Sequence, residues 1–320
     1  MMEKISQFLG HHDCWYTPHY TDGLVGILER SKLIEWTVAG QGHQSRALEY
    51  LNGLGRQIDF RGSSQHYDLV VTCSDLVVPK NIRHGRVVLV QEGMTDPENM
   101  AYYFVKYLGL PRYLASTSSF GLSDAYMRMC VASEGYRQHF IRKGARPSKI
   151  EVTGIPNFDN CTEFVGQPFE HTNFVLAATS DARETFKYES RKATIARALL
   201  IADGRKLVFK LHPNENIARA TSEINKWAPN ALVYHNRPIE SLIANCDVLI
   251  TKYSSCVYVG IALGKTVYSD FPISALHELC PIQNGGASAS NIAGVCDEVL
   301  DSLYLSIPVK ASVQLVRRAS

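Results

Sequence analysis

The sequence predicts an α/β protein made of two doubly wound, Rossmann-like domains facing a central cleft, and three observations predict it. Short apolar runs rich in β-branched residues recur from about residue 67 onward. Stretches with helical spacing alternate with them, which is the pattern of parallel sheets joined by crossover helices. Polar residues gather just past the carboxyl ends of these runs, where open parallel sheets hold ligands.

Strands are expected in the first half at Tyr67–Thr72, Arg86–Val90, Met127–Ala132 and Ile150–Thr153. In the second half they are expected at Phe174–Ala178, Lys206–Leu211, Ala231–Tyr234, Val248–Thr251 and Thr266–Ser269. Their near-continuous apolar character, rather than strict alternation, marks strands covered on both faces. Helices are expected at Glu134–Lys143, closed by Gly144, then at Ser190–Ala202, at Ile239–Asn245, and at 255–263 ahead of Gly264. Before residue 65, Asp22–Arg30 has helical spacing and Ile34–Ala39 is strand-like. The irregular stretch 160–172, with Gly166 and Pro168, is the expected linker. The expected division is therefore 1–159, linker 160–172, 173–300, and a tail or crossover helix over 301–320 that ends frayed at VRRAS.

A chain of 320 residues has room for two domains of about 150 residues, each with its own core. Its 33 Lys and Arg against 31 Asp and Glu leave a formal charge of +2, so no extended basic surface for nucleic acid is expected. The eight cysteines are scattered without a CxxC pair. They are expected to be small buried thiols of a reducing compartment rather than disulfides or zinc ligands. The opening MMEKISQFLGHHDCW has no basic stretch followed by a long apolar one, so no signal peptide is expected. No apolar run approaches the ~18–20 residues of a membrane span. A cytoplasmic protein, at most peripheral to a membrane, is the expectation.

Five predicted strands end in groups that carry chemistry. Arg86–Val90 runs into Gln91-Glu92-Gly93, and Ile150–Thr153 into Gly154-Ile155-Pro156-Asn157. Phe174–Ala178 runs into Thr179-Ser180-Asp181, Lys206–Leu211 into His212-Pro213-Asn214, and Val248–Thr251 into Lys252-Tyr253-Ser254-Ser255. Two hydroxyls beside the N–H groups of a starting helix make a phosphate seat; the same serines also read as helix caps. His212 reads either as a ligand-facing imidazole or as a turn histidine followed by Pro213 at a first helical position. Arg183 and Lys210 read as phosphate neighbours or as solvated cations. In His11-His12-Asp13-Cys14 the spacing is not diagnostic and no second cluster matches it, so no metal is expected. His11 or His12 is instead a candidate for the cleft lining.

Four segments occur in a known order: Val152-Thr153-Gly154-Ile155-Pro156-Asn157-Phe158-Asp159, Lys210-Leu211-His212-Pro213-Asn214, Asp247 to Ser255, and Ala262-Leu263-Gly264-Lys265-Thr266-Val267. They resemble the C-terminal half of GT-B-fold enzymes, nearest to the CDP-glycerol glycerophosphotransferase family. That family has a TGYPRND-like turn, an HP strand end and an ITDYSS…LGKPV segment. His212 to Asn216 is also similar to the HPNPN-like turn of the non-hydrolysing UDP-N-acetylglucosamine 2-epimerases. Bacterial sialyltransferases use an HP turn and a Ser-Ser pair to hold CMP. The resemblance spans roughly residues 85–295.

The resemblance implies a GT-B-like fold with an N-terminal acceptor-side domain and a C-terminal domain that binds the nucleotide donor. Gly154, Pro156, Thr179, Ser180, Arg183, Lys210, His212, Tyr253, Ser254 and Ser255 would form the donor site. Ser254 and Ser255 would grip the diphosphate, and His212 would contact a phosphate or ribose and protonate the leaving phosphate. Gln91-Glu92-Gly93 falls where the CDP-glycerol family has WHG, and it is similar to the acidic-acidic-glycine motif of the sialyltransferases. Glu92 is therefore the candidate general base, with Gly93 admitting the substrate; a strand-end glutamate otherwise serves as a cap or ion-pair partner. Asp96 and Glu98 are its substitutes, or else the acidic first turn of the next helix. Three departures stand out: Lys252 replaces an acidic residue, no carboxylate lies near Val259 where the epimerases bind ribose, and their HRREN-like segment survives only as Ser180-Asp181-Ala182-Arg183-Glu184-Thr185.

The implied activity is metal-independent transfer of a sugar or polyol-phosphate group. The donor would be a nucleotide diphosphate or CMP conjugate, and the acceptor a hydroxyl of an envelope glycan or glycolipid. No cofactor beyond the donor is implied, and domain closure over it is expected. The alternatives are a nucleotide-sugar epimerase or hydrolase, and a non-catalytic nucleotide-sugar-binding partner subunit.

Overall fold

Apolar runs bounded by caps and glycines give each half of the chain its own parallel sheet. The computed structural model describes residues 1–18, 41–60, 62–78, 81–82, 85–184 and 188–306. The elements expected at Asp22–Arg30 and Ile34–Ala39, and the tail ending VRRAS, lie outside the described residues. Helix α1 (Met2–Ser6) leads to β1 (Trp15–Tyr16), and α2 (Gln41–Gly53) leads to β2 (Gln57–Ile58), which pairs with β1 in parallel.

The N-terminal sheet is built from β3 (Val70–Thr72), β4 (Val87–Val90), β5 (Arg128–Val131) and β6 (Ile150–Val152), parallel and in sequence order. Helix α3 (Met100–Leu108) lies between β4 and β5, and α4 (Glu134–Lys143) between β5 and β6. Helix α4 has the expected bounds because both ends are encoded locally. The Ser133 hydroxyl accepts from the Tyr136 N–H, and Gly144 closes the helix at φ +110°.

The C-terminal sheet holds β7 (Phe174–Ala178), β8 (Lys206–Lys210), β9 (Leu232–Tyr234), β10 (Val248–Ile250) and β11 (Thr266–Tyr268). Its crossovers are α5 (Arg191–Ala202), α6 (Ile217–Trp227), α7 (Ile239–Asn245) and α8 (Val257–Ala262). The spatial order is β11-β10-β7-β8-β9, all parallel. The winding direction therefore reverses between β7 and β10, which places a ligand crevice beyond the carboxyl ends of those two strands. β7 is buried along its whole length, as its unbroken Phe-Val-Leu-Ala-Ala run requires. Thr153, Leu211, Thr251 and Ser269, expected as last strand residues, lie past the ladders, in the turns that carry the strand-end groups.

Two further helices, α9 (Ile273–Leu279) and α10 (Ser288–Ser306), tie the halves together. Ala289, Ile292, Ala293, Cys296 and Val299 of α10 pack with Ile5, Leu9, Val88, Val90 and Cys130, so the chain returns to the N-terminal sheet. The boundary expected at 300 falls inside this helix. Val257, Tyr258 and Leu276 share a core with Met129, Tyr136 and Phe140. The Tyr136 and Tyr258 hydroxyls meet at 2.7 Å within it. The 160–172 stretch is anchored at two points: Cys161 is buried, and the Phe169 ring lies 5.3 Å from that of Phe174.

All eight cysteines are free thiols. Burial pushes Cys161 up to about 11 and Cys246 up to about 12, which keeps both protonated and unreactive near neutrality. No helix among the described residues is long and apolar enough to cross a membrane.

His139 on α4 gives the fold a pH dependence. Its Nε2 is buried without a partner, and desolvation, then Lys143 and Arg142, lower its pKa to about 4. The unfolded chain binds this proton below ~6.5 and the folded chain does not, so stability rises with pH between about 4 and 6.5. Denaturant titrations at pH 4.5 and 7 should differ by on the order of 2 kcal/mol from this group. His139→Phe should remove that difference, and an unchanged pH profile in the variant would assign the dependence elsewhere.

Candidate active site

The crevice between β7 and β10 is reached from the N-terminal sheet by the turn after β4. Gln91 is buried and holds that turn at both ends: its Nε2 donates to the Gly93 carbonyl at 2.8 Å, and its Oε1 accepts from the Ala132 N–H at 2.9 Å. Asn157, from the turn after β6, donates to the Glu92 carbonyl at 3.3 Å. The Glu92 side chain is left exposed on a pinned backbone. A Cβ at Gly93 would lie 3.5 Å from Ser255 Cβ and 3.6 Å from the Phe158 ring. The Glu92 turn and the Ser254-Ser255 turn, which belong to different sheets, therefore adjoin. Asn157 also lines a cavity of about 330 Å³ with Lys4, Phe158, Glu163 and Glu240.

The serines after β10 do not cap α8, for which no side-chain cap bond forms. Ser254 donates to Cys256 Sγ at 3.2 Å, and the Ser255 hydroxyl has no partner among the described residues. Helix α8 has only six residues, shorter than the 255–263 expected, so less of a helix dipole faces a phosphate there than the sequence suggests. Tyr253 is 57% exposed with its ring edge-on to Phe271. Thr251 is buried, and its hydroxyl has no partner.

The His212 turn is held by a buried ionic cluster that sequence reasoning missed. Glu215 accepts from the His212 N–H at 2.9 Å and from the Thr179 hydroxyl through Oε2, and from Arg191 through Oε1. Arg191 also lies 3.2 Å from Glu189, whose other oxygen accepts from Ser180 at 2.7 Å. The side chains of Glu189, Arg191 and Glu215 are 1–3% exposed. Glu215 stands inside the His-Pro-Asn-Glu-Asn segment, which was its only sequence signal; Glu189 and Arg191 had none beyond their place at the start of α5. The His212 Nδ1 accepts from the Asn214 N–H at 3.2 Å, so a neutral ring carries its proton on Nε2, which has no partner among the described residues. Asp181 Oδ2 lies 3.6 Å from the same Nδ1 and accepts from Asn214 Nδ2 at 3.0 Å.

Several expected site residues have other employment. Lys210 is buried, and its ammonium donates to the carbonyls of Leu211 (2.7 Å) and His235 (3.2 Å), tying the ends of β8 and β9. Desolvation lowers its pKa. Arg183 is held by Glu223 in a two-point pair at 2.7 and 2.9 Å. The Thr179 and Ser180 hydroxyls donate to buried carboxylates. Gly154 sits at φ +75°, and a Cβ there would fall 2.2 Å from Ser288 Oγ, so contact with the start of α10 accounts for this glycine without a ligand. Pro156 is buried, and its carbonyl accepts from Lys4 at 3.4 Å. Asp96 exchanges two hydrogen bonds with Thr117, and Glu98 lies 3.5 Å from the Tyr103 hydroxyl, so both belong to the loop around α3. His11 and His12 do not line the cleft; both meet Asp297 on α10.

The two parallel sheets, the strand reversal between β7 and β10 and the facing strand ends define a GT-B-like α/β protein. No family model matches the sequence, and no curated protein matches it. Among solved structures, the chain is similar to the UDP-GlcNAc 2-epimerase of Methanocaldococcus jannaschii in complex with UDP-GlcNAc and UDP. That likeness has a TM-score of 0.51 and 12% identity, over 93% of this chain and 96% of that one. It is similar to Staphylococcus aureus MnaA bound to UDP, with a TM-score of 0.51 and 10% identity over 88% and 81%. It is also similar to a variant of the wall teichoic acid polymerase TagF, with a TM-score of 0.50 and 13% identity over 78% of each chain. At these identities the likeness establishes the fold.

Proposed function

We propose that the chain is a metal-independent transferase that moves a sugar or polyol-phosphate group from a nucleotide-activated donor to a hydroxyl acceptor of an envelope glycan or glycolipid. The observation that carries this reading is the approach of Gly93 to Ser255, which brings the turn bearing Glu92 on one sheet against a turn with an unpaired hydroxyl on the other. Glu92 acts as general base on the acceptor hydroxyl. Ser254, Ser255 and the N–H groups that follow them hold the donor diphosphate. His212 offers its Nε2–H to the departing phosphate, and catalysis is chiefly electrostatic. β8 and β10 are separated by β7, so their ends stand ~10 Å apart, and one extended donor bridges them.

An exposed surface on α3 and the turn after it supports an acceptor presented at a membrane face. Tyr103, Phe104, Tyr107, Leu108 and Leu114 are exposed there. Lys106 and Arg112 lie among them, and no acidic residue occurs between Glu98 and Asp124. Apolar and basic groups in this mixture suit an anionic lipid surface.

The epimerase reading is the second one, favoured by the two UDP-bound neighbours. Against it, Val257, Tyr258 and Val259 are all buried in α8, where the resemblance would place a ribose-binding carboxylate. Thermal shift across CMP, CDP, UDP and GDP tests the donor site: a ligand at 100 times its Kd stabilises the chain by about 2.7 kcal/mol. Ser255→Ala and His212→Ala should weaken that response. Glu92→Gln should keep it while slowing transfer to acceptor on anionic vesicles by ~10²–10⁴-fold. A flat response to all four nucleotides sinks the reading, and epimer or free UDP from UDP-GlcNAc without acceptor replaces it with the second.

A further inference from the structure

Away from the cleft, the turn after α1 and one half-buried position of α10 bring three metal-ligating side chains together. His11 Nε2 and His12 Nε2 lie 3.2 and 2.8 Å from the same oxygen, Asp297 Oδ1. The two imidazole rings are 4.1 Å apart between centroids. Ligand atoms around a tetrahedral zinc-sized ion, bound at about 2.0–2.1 Å, stand ~3.3 Å from one another. The two nitrogen–oxygen separations are within ~0.5 Å of that value, and all three ligand atoms lie within 4.8 Å of one another.

Both sides of the cluster are anchored. Leu9 is buried, and its carbonyl accepts the His12 N–H at 2.9 Å. Val295, Cys296 and Val299 bury the inner side of α10 around Asp297. Asp13, which follows His12 in sequence, is engaged by Trp15 Nε1 at 3.2 Å and Gln57 Nε2 at 2.7 Å.

We propose that His11, His12 and Asp297 form a surface site for a divalent transition-metal ion, which clamps the N-terminal turn onto α10. Two imidazoles and one carboxylate suit Zn²⁺, Co²⁺ or Ni²⁺ rather than Ca²⁺ or Mg²⁺, which take oxygen ligands. The side chains are 59%, 36% and 35% exposed, so water completes the coordination and the ion exchanges. Without metal, the same atoms make two hydrogen bonds from the imidazoles to one carboxylate oxygen, and an ion takes the place of these bonds.

The test is titration of the metal-free full-length chain with Co²⁺, read by its visible ligand-field band, followed by displacement with Zn²⁺. One equivalent should bind with a micromolar or lower Kd. Asp297→Asn should weaken binding by at least ~10-fold and the His11→Ala/His12→Ala pair by ~100-fold. Asp13→Asn should leave it unchanged. Equal affinity in the wild type and Asp297→Asn, or a wild-type Kd in the millimolar range, overturns the site as an adventitious ion only. Should the double-histidine variant fail to fold, Asp297→Asn decides the question by itself.

Discussion

Arg191→Met is expected to cost the fold about 3–5 kcal/mol, the range for removing one member of a buried ion group. The guanidinium stands between Glu189 and Glu215, and no other cation is hydrogen-bonded to either carboxylate among the described residues. Its loss leaves two carboxylates facing each other out of water. A domain has only about 5–15 kcal/mol to lose. The damage also reaches the donor side, because Glu215 holds both the His212 N–H and the Thr179 hydroxyl. Urea denaturation at pH 7 should show the midpoint falling. Arg191→Met combined with Glu215→Gln should be less destabilised than Arg191→Met. A single variant as stable as the wild type would mean that the cluster is hydrated and does not carry the turn.

Gly135→Ala tests the join between the two halves. In an exposed helix the change would stabilise by up to ~1 kcal/mol, since alanine is the better helix former. In α4 the new Cβ would stand 1.8 Å from the Glu278 carbonyl oxygen and 2.6 Å from its carbon. Both are backbone atoms, so no side-chain rotation relieves the overlap. Ser133 Oγ donates to the neighbouring Leu279 carbonyl at 3.2 Å, which ties the same two helices. Overpacking costs typically 1–3 kcal/mol, and here the whole of α9 must move. We expect a net destabilisation of about 2 kcal/mol or more, read as a drop in Tm. A gain in stability would show that α9 does not pack on α4 in solution.

The contrast between α4 and α10 shows what was legible. Helix α4 carries its own start and stop in Ser133 and Gly144, so its bounds could be read before any packing was known. Helix α10 runs through Ser-Ala-Ser-Asn-Ile-Ala-Gly, with few strong helix formers at its start, and its apolar side is explained by the N-terminal sheet it covers. Lys210 misled for a related reason. A lysine at a strand end reads as a phosphate ligand or a solvated cation, and only the neighbouring strand shows the carbonyls that take its protons.

The α/β class, most strand and helix bounds from residue 127 to 268, and the strand ends that carry polar groups were all legible along the chain. Those properties follow from local periodicity, capping and turn chemistry, which act over a few residues. Only the packed structure shows that the Glu92-Gly93 turn adjoins Ser255, that Glu189, Arg191 and Glu215 hold the His212 turn, and that Asp297 meets His12 and His11 from 285 and 286 residues away. Such contacts depend on how two sheets and their covering helices are set against each other. That arrangement is a balance of buried area and paired charge, and no window of sequence contains it.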